Sequence, residues 1–327
     1  MAGYEQFEKC YDFTNPVHFM HRNRSALMQH LDTFRLIEAI ARAGSIRKAA
    51  EDSNITASAL NRRLGRFERE FGSQIFERLP RGVRLNPAGE LVLQHYRAQR
   101  SDLARVKSQV ADLSGVRRGH VTIACSQALL PFFLPQQIAA YRNAHPGVTF
   151  AVNVRDREQA EAELVSFRSD LALVFEPRVL VDFEVLHAIP QPVCALFARD
   201  HPLAGQSELR LRDCLDHPHI APAQKYGVRG LLDMAAKRVG RTVTPVVETE
   251  SFELIRYYVM QERAVGFQIP IGLSTEQDTG MVFRPISQRD MPPGNLLLGQ
   301  MRGRVLSVAT SRFSDQVALA LANMSDA

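Results

Sequence analysis

The chain has 327 residues, 40 Lys and Arg against 35 Asp and Glu, a formal net charge of +5, and a hydrophobic fraction of 45%. That length exceeds one ordinary domain and points to two or three. The sequence has no apolar run long enough to span a bilayer and no charged-then-apolar leader, which predicts a cytoplasmic protein. Its four cysteines (Cys10, Cys125, Cys194, Cys214) are far apart and form no C-x-x-C pair, so neither a disulfide framework nor a metal site is indicated.

The charge is unevenly spread. Residues 28–118 hold 17 Lys/Arg against 10 Asp/Glu, a net of +7, while residues 119–327 hold 20 against 22, a net of −2. A basic front with a near-neutral rear predicts a polyanion partner for the front alone. Residues 1–27 show no periodicity; they are either a short aromatic-rich arm or lie upstream of a translational start at Met20 or Met28.

A first helix is expected over 29–43, burying Leu31, Phe34, Ile37 and Ala41. From Ser45 to Phe71 the sequence reads as two helices joined by a tight turn. Ala49 and Ala50 are small enough to let the second helix cross closely, Ser53 and Asn54 break the first, and Ile55 plugs the angle. Thr56 is a good N-cap. Leu60, Leu64, Phe67 and Phe71 then recur at spacings of four, three and four, one apolar stripe. The opposite face holds Ala57, Ser58, Asn61, Arg62, Gly65, Arg66 and Arg69, small, polar and basic, as suits a helix in a DNA major groove. An amphipathic hairpin with a solvated basic face would show the same pattern.

Residues 74–85 read as a β wing, with Phe76 and Leu79 inward and a turn at Pro80-Arg81-Gly82. Arg81 and Arg84 flank that glycine and suit sugar–phosphate contacts, which fix register without reading bases. Asn86-Pro87 starts a long helix. Along it Val92, Tyr96, Gln99, Leu103, Val106, Val110 and Leu113 alternate spacings of four and three, a coiled-coil seam with one polar place. A lone helix cannot bury that stripe, so a dimerisation helix is expected. Residues 114–119 (SGVRRG) end it as a hinge.

From His120 the period changes. Strands are expected at 121–124, 148–154 and 171–175, with helices at 130–143 and 158–167 between them, an alternation that implies a parallel sheet. A second set of strands is expected at 193–197, 219–221, 243–248, 264–269 and 282–286, with helices at 228–239 and 252–261 and a last helix at 313–322.

Residues 31–90 resemble the winged helix-turn-helix domain of LysR-type transcriptional regulators. The resemblance rests on Phe34, Gly44-Ser45, Ala49-Ala50-Glu51, Ala59-Leu60, Arg62, Leu64, Phe67-Glu68, Phe71-Gly72, Phe76-Glu77-Arg78, Gly82-Val83-Arg84-Leu85 and Ala88-Gly89, together with Leu31. The rest of the chain resembles, more loosely, the two-lobed effector domain of that family and periplasmic solute-binding proteins, with Asp200-His201-Pro202-Leu203-Ala204 as a further signature. The implied fold is α+β and multi-domain: an extension (1–27), a winged helix-turn-helix (28–86), a linker and dimerisation helix (87–118), and a two-lobed α/β effector domain (119–327). Its lobes would be 119–191 plus 270–327, and 192–269, joined by crossing strands near 191–193 and 266–269.

The resemblance implies a sequence-specific DNA-binding transcriptional regulator, not an enzyme. Its partners would be double-stranded DNA, a small-molecule effector, a second copy in a homodimer or homotetramer, and RNA polymerase, with a place in the cytoplasm at the nucleoid and no cofactor or metal. Arg47, Thr56, Ala57, Ser58, Asn61, Arg62, Arg66, Arg81 and Arg84 are the candidate DNA-binding residues. The chain departs from the family at Ala57-Ser58 (usually Gln-Pro), Asn61 (usually Ser), Arg63 (often Gln) and Ser53 (usually apolar), so no operator sequence transfers with the fold.

In open sheets ligands sit beyond the carboxyl ends of strands, near helix N-termini. That rule selects Ser126, Gln127, Arg155, Asp156, Phe175, Glu176, Gln224, Lys225, Tyr226, Glu250 and Ser251, with Gln268 as floor. Each could equally be a cap or loop residue. Arg155 and Lys225 together favour a metabolite bearing a carboxylate, and Glu176 works against it. The other reading is a small-molecule-binding protein or enzyme with an appended DNA-binding domain; against it, the sequence shows no Ser–His–acid, Cys–His or P-loop arrangement.

Overall fold

The computed structural model describes residues 32–113, 118–176, 182–206, 208–274 and 280–325. The 1–27 extension, Leu31, hinge residues 114–117 and the side chain of Leu113 lie outside the described residues. The chain divides into two units, the first ending at Arg100 and the second beginning at Ser101.

The first unit contains α1 (residues 32–43), α2 (Ile46–Asp52), α3 (Ala57–Phe71), β1 (Phe76–Leu79), β2 (Gly82–Leu85) and the start of α4 (Pro87–Leu113). The starts of α2, α3 and α4 are capped by side chains, at Thr56 and Asn86 as the sequence suggests. Ser45 accepts from Lys48 N, Thr56 from Ala59 N at 3.2 Å, and Asn86 Oδ1 from Gly89 N at 2.8 Å. Gly72, at φ +79°, ends α3 in the left-handed conformation that favours glycine. Leu36, Ile37, Ile40, Ala49, Ala50, Leu60, Leu64, Phe67, Ile75, Phe76 and Val92 form the core.

Three expectations fail here. Phe71 is 53% exposed, because α3 runs one turn past the core and leaves its ring stacked only on Phe67, at 5.5 Å between centroids. Leu79 is exposed while Phe76 is buried, since residues three apart on a strand face opposite ways. Val92 and Tyr96, the first two seam positions, are buried within this unit; the Tyr96 ring stacks on Phe34 at 5.4 Å. Glu38 reinforces that packing by accepting from Arg97 at 2.9 Å and from Arg100 at 2.6 Å. The opening turns of α4 are thus part of the winged domain's own core.

The second unit holds two lobes. In the first, a five-stranded sheet runs in the order Val148–Val154 (β4), Gly119–Cys125 (β3), Leu171–Phe175 (β5), Gly294–Met301 (β12) and Phe183–Gln191 (β6). Strands β3 (Gly119–Cys125), β4 (Val148–Val154) and β5 (Leu171–Phe175) are parallel, as α5 (Phe133–Ala144) and α6 (Arg157–Val165) require. The sheet as a whole is mixed, contrary to the expectation of a parallel one. Strands β6 (Phe183–Gln191) and β12 (Gly294–Met301) were not legible as strands, and β12 runs antiparallel to both β5 and β6. Helix α10 (Val308–Ser325) packs Phe313, Val317 and Leu321 onto the lobe's core.

The second lobe pairs β7 (Cys194–Ala198) antiparallel with β10 (Gly266–Gln268) and β11 (Met281–Pro285). Beside them lie the parallel pair β8 (Ile220–Pro222) and β9 (Val247–Thr249), with α7 (Leu211–Leu215), α8 (Gly227–Arg238) and α9 (Phe252–Gln261). Because β11 pairs with β7, this lobe does not end at residue 269; the chain returns to the first sheet only at β12. A bidentate pair, Arg210 to Asp290 at 2.8 and 2.6 Å, closes that late segment onto the second lobe.

Candidate DNA interface and interlobe cleft

The amphipathic pattern of α3 resolves as its spacing implies. Leu60, Leu64 and Phe67 are buried, and Ser58, Asn61, Arg62 and Arg66 are exposed on the other side, with Ala57 half-buried. Thr56, also exposed, caps the helix, and its Oγ1 lies 3.1 Å from Ser58 Oγ. Arg62, Arg66 and Arg81 carry no ion pair among the described residues. Arg47 pairs with Glu51 at 3.2 Å, and Arg84 pairs across the hairpin with Glu77.

Two contacts that sequence reasoning missed orient the wing against the helices. Val83 N donates to Gly44 O at 3.0 Å, and Ile75 N donates to the Glu68 carboxylate at 2.8 Å. Neither has a composition signal, because each depends on which backbone groups the fold leaves facing one another.

In the second unit, Ser126, Arg155 and Tyr226 line a cavity between the lobes, while Gln127, Glu176, Lys225, Ser251 and Gln268 are not among its lining residues. Ser126 follows β3 and its Oγ accepts from Ala128 N; Asp156 caps α6 by accepting from Gln159 N at 2.9 Å. Tyr226 precedes α8, and Ser251 caps α9 by accepting from Leu254 N at 3.2 Å. The cleft is closed. A Cβ on Gly227 would lie 2.6 Å from Phe175 O, so the first turn of α8 rests directly on the end of β5. The cavity left between Ser126, Arg155, Tyr226 and Phe252 is about 20 Å³, room for about one water.

The charged candidates are all engaged. Arg155 Nε donates to Glu163 at 2.6 Å, and Arg157 Nη1 to Glu176 O at 3.1 Å. Burial opposes ionisation of Glu163, but hydrogen bonds from Ser169 and Arg155 outweigh it and hold the carboxyl below its usual range. Lys225 Nζ sits 2.9 Å from Glu250 and 3.8 Å from Asp156, and the Glu250 bond raises its pKa. Glu176, at φ +52°, accepts from Asn295 N at 2.6 Å. No pair of open cations therefore waits for an acid.

Gln127 is the candidate that both lobes share. Its carboxamide donates to Glu250 O at 2.6 Å and to Tyr226 Oη at 3.0 Å, and accepts from Phe252 N at 3.2 Å. Gln268, expected at the floor, is fully buried and donates to Gly272 O, outside the cavity lining. Asp156 and Phe175, which the strand-end rule also selects, line the cavity, and so do Arg157 and Phe252, which it did not select; Phe252 is an ordinary helix-start position that only the meeting of the lobes brings there.

On α4, Leu103, Val106 and Val110 are 51%, 45% and 57% exposed.

Two family models match the chain: "Bacterial regulatory helix-turn-helix protein, lysR family" over residues 31–90, and "LysR substrate binding domain" over residues 114–322. Among curated relatives, the HTH-type transcriptional activator CmpR of Synechocystis sp. is 26% identical over 199 residues, 61% of this chain and 65% of that protein. The chain thus matches slightly less than two thirds of that relative's length. Among solved structures, a full-length OxyR variant from Pseudomonas aeruginosa superposes with a TM-score of 0.68 at 17% identity, covering 89% of this chain and 94% of that one. Full-length CbnR in complex with its target DNA superposes with a TM-score of 0.61 at 14% identity, covering 89% and 99%. At such identities the likeness is one of fold.

Proposed function

The chain belongs to the LysR family of bacterial regulatory proteins, and from that premise we propose that it is a transcriptional regulator that reads operator DNA through α3 and the β1–β2 hairpin. The observation that carries this reading is the division of α3 into a buried apolar face and an exposed face of Ser58, Asn61, Arg62 and Arg66, beginning at a capped N-terminus. A helix presented in that way can enter a major groove with its first two turns against base edges. Ala57, Ser58 and Asn61 read bases; Arg62, Arg81, Arg84 and Arg47 hold phosphates, with Arg66 beside them and Thr56 at the helix start.

The second unit binds a small effector between its lobes, and the exposed stretch of α4 from Leu103 onward joins two copies. Tetramers form through the second units, and the assembly acts in the cytoplasm on DNA and RNA polymerase. A small-molecule enzyme with an appended DNA-binding domain is not favoured. Since Arg155 and Lys225 are already neutralised, an acidic effector would have to displace Glu163 or Glu250.

A gel-shift titration with the DNA upstream of the protein's own gene tests the reading. Specific retardation that persists over a shuffled duplex and weakens steeply with salt is expected. Equal retardation of both duplexes at every salt concentration would remove it.

A further inference from the structure

The Gln127 side chain makes three hydrogen bonds from one lobe to the other. Gln127 belongs to the first lobe, in a short turn directly after β3; Tyr226, Glu250 and Phe252 belong to the second. Phe252 is the first residue of α9, so its amide is one of the donors a helix start leaves without an internal partner. The carboxamide oxygen takes that amide, and the two carboxamide hydrogens take Glu250 O and Tyr226 Oη. The chemistry fixes the orientation: reversing the amide would set oxygen against the Glu250 carbonyl and NH₂ against the Phe252 N–H. Arg256 lies over the Phe132 ring at 5.5 Å, a further contact between the lobes.

We propose that Gln127 is an internal ligand, holding the lobes closed in place of the effector, and that the effector displaces it by presenting the same adjacent acceptor and donor, as a carboxamide, lactam or urea does. This inference rests on the reading of the cleft as the effector site. The cavity of about 20 Å³ between Ser126, Arg155, Tyr226 and Phe252 has room for about one water, and Gln127 bridges the lobes beside it, sharing Tyr226 and Phe252 with its lining. A bare carboxylate could take Phe252 N but has no hydrogen for Glu250 O, which would keep only the Tyr226 hydroxyl at 3.2 Å and would face an anion. The competition also sets sensitivity: the effector binds against an intramolecular ligand, so weakening Gln127 tightens apparent effector affinity.

The chain contains no tryptophan, so Phe132→Trp introduces a single fluorophore at the lobe contact of the full-length protein. In that background Gln127→Ala should red-shift the emission and raise acrylamide quenching. Gln127→Glu, which keeps the acceptor and loses the donor, should do the same. Acetamide should reverse the change in Gln127→Ala, and acetate at equal ionic strength should not. An unchanged spectrum for Gln127→Ala or for Gln127→Glu overturns the proposal, and so does reversal by acetate. The footprint on upstream DNA is read on the same samples: a shifted emission with an unaltered footprint leaves the internal ligand standing and removes the cleft as the regulatory site.

Discussion

Gly82 lies so close to Gly44 that a Cβ at Gly82 would stand 2.2 Å from the Gly44 carbonyl oxygen. The neighbouring Val83 N–H donates to that same oxygen, which ties the β2 strand to the turn that opens the helix-turn-helix. At φ +104°, Gly82 also occupies backbone space that side chains rarely adopt. Gly82→Ala should therefore destabilise the winged domain by about 1–3 kcal/mol and weaken DNA binding with it. Urea unfolding of the full chain measures the first effect, and an unaltered midpoint would show that the two turns can separate without cost.

The base-reading and phosphate-holding roles separate by sequence dependence. Asn61→Ala should cost roughly 1–3 kcal/mol on the cognate duplex and relax one base position. Arg81→Ala should weaken cognate and random duplexes alike and flatten the salt slope. Anisotropy titrations on both duplexes check the pair; an equal loss on both for Asn61→Ala would refute its role.

The seam on α4 divides between two tasks. Leu103→Glu combined with Val106→Glu places charge on exposed positions and should give folded monomers. Val92→Glu, at 5% exposure, should instead unfold the winged domain, because a lone carboxylate in that core has no partner. Sedimentation and circular dichroism distinguish the outcomes. An intact oligomer in the double variant would move the interface away from α4.

Asp290 is buried and accepts from Arg210 twice and from Leu211 N at 2.9 Å. The Arg210 bond holds its carboxyl below the usual range. A folded pKa below the unfolded value means that this stabilisation is complete above about pH 4 and is lost as pH falls through the lower folded value. Asp290→Asn should be less stable than the parent at pH 7, and the gap should narrow as acid is added. Thermal unfolding from pH 7 to about pH 3 measures it, and a constant gap would mean the charge contributes nothing.

Burial pushes the thiols of Cys125, Cys194 and Cys214 up to about 12. Thiolate is the reactive form, so none of the three should be alkylated in the native chain at pH 8, and all should react once unfolded. Mass spectrometry after iodoacetamide treatment reads this directly; native labelling at any of the three would show that its strand, or for Cys214 its helix, opens.

The sequence by itself determined the helix-turn-helix and its outward face. The signals were local: a cap at Thr56, a break at Ser53-Asn54, and an apolar stripe at helical spacing whose partner face had to be polar. It likewise placed α9, whose cap at Ser251 and apolar run mark both ends. The tertiary structure alone decided the rest. Val92 and Tyr96 fit a coiled-coil seam as well as a domain core, and only Phe34 and Glu38, some sixty residues away, assign them to the core. The apolar runs of β6 and β12 carry no period that names a partner or a direction, so their antiparallel pairing was illegible. Arg155 and Lys225 looked like an anion site because a sequence shows charges without their neighbours; Glu163 and Glu250 reach them through the fold. Gln127 gave no sign of bridging the lobes, since its three partners lie about a hundred residues or more further along the chain and meet it only when the cleft closes.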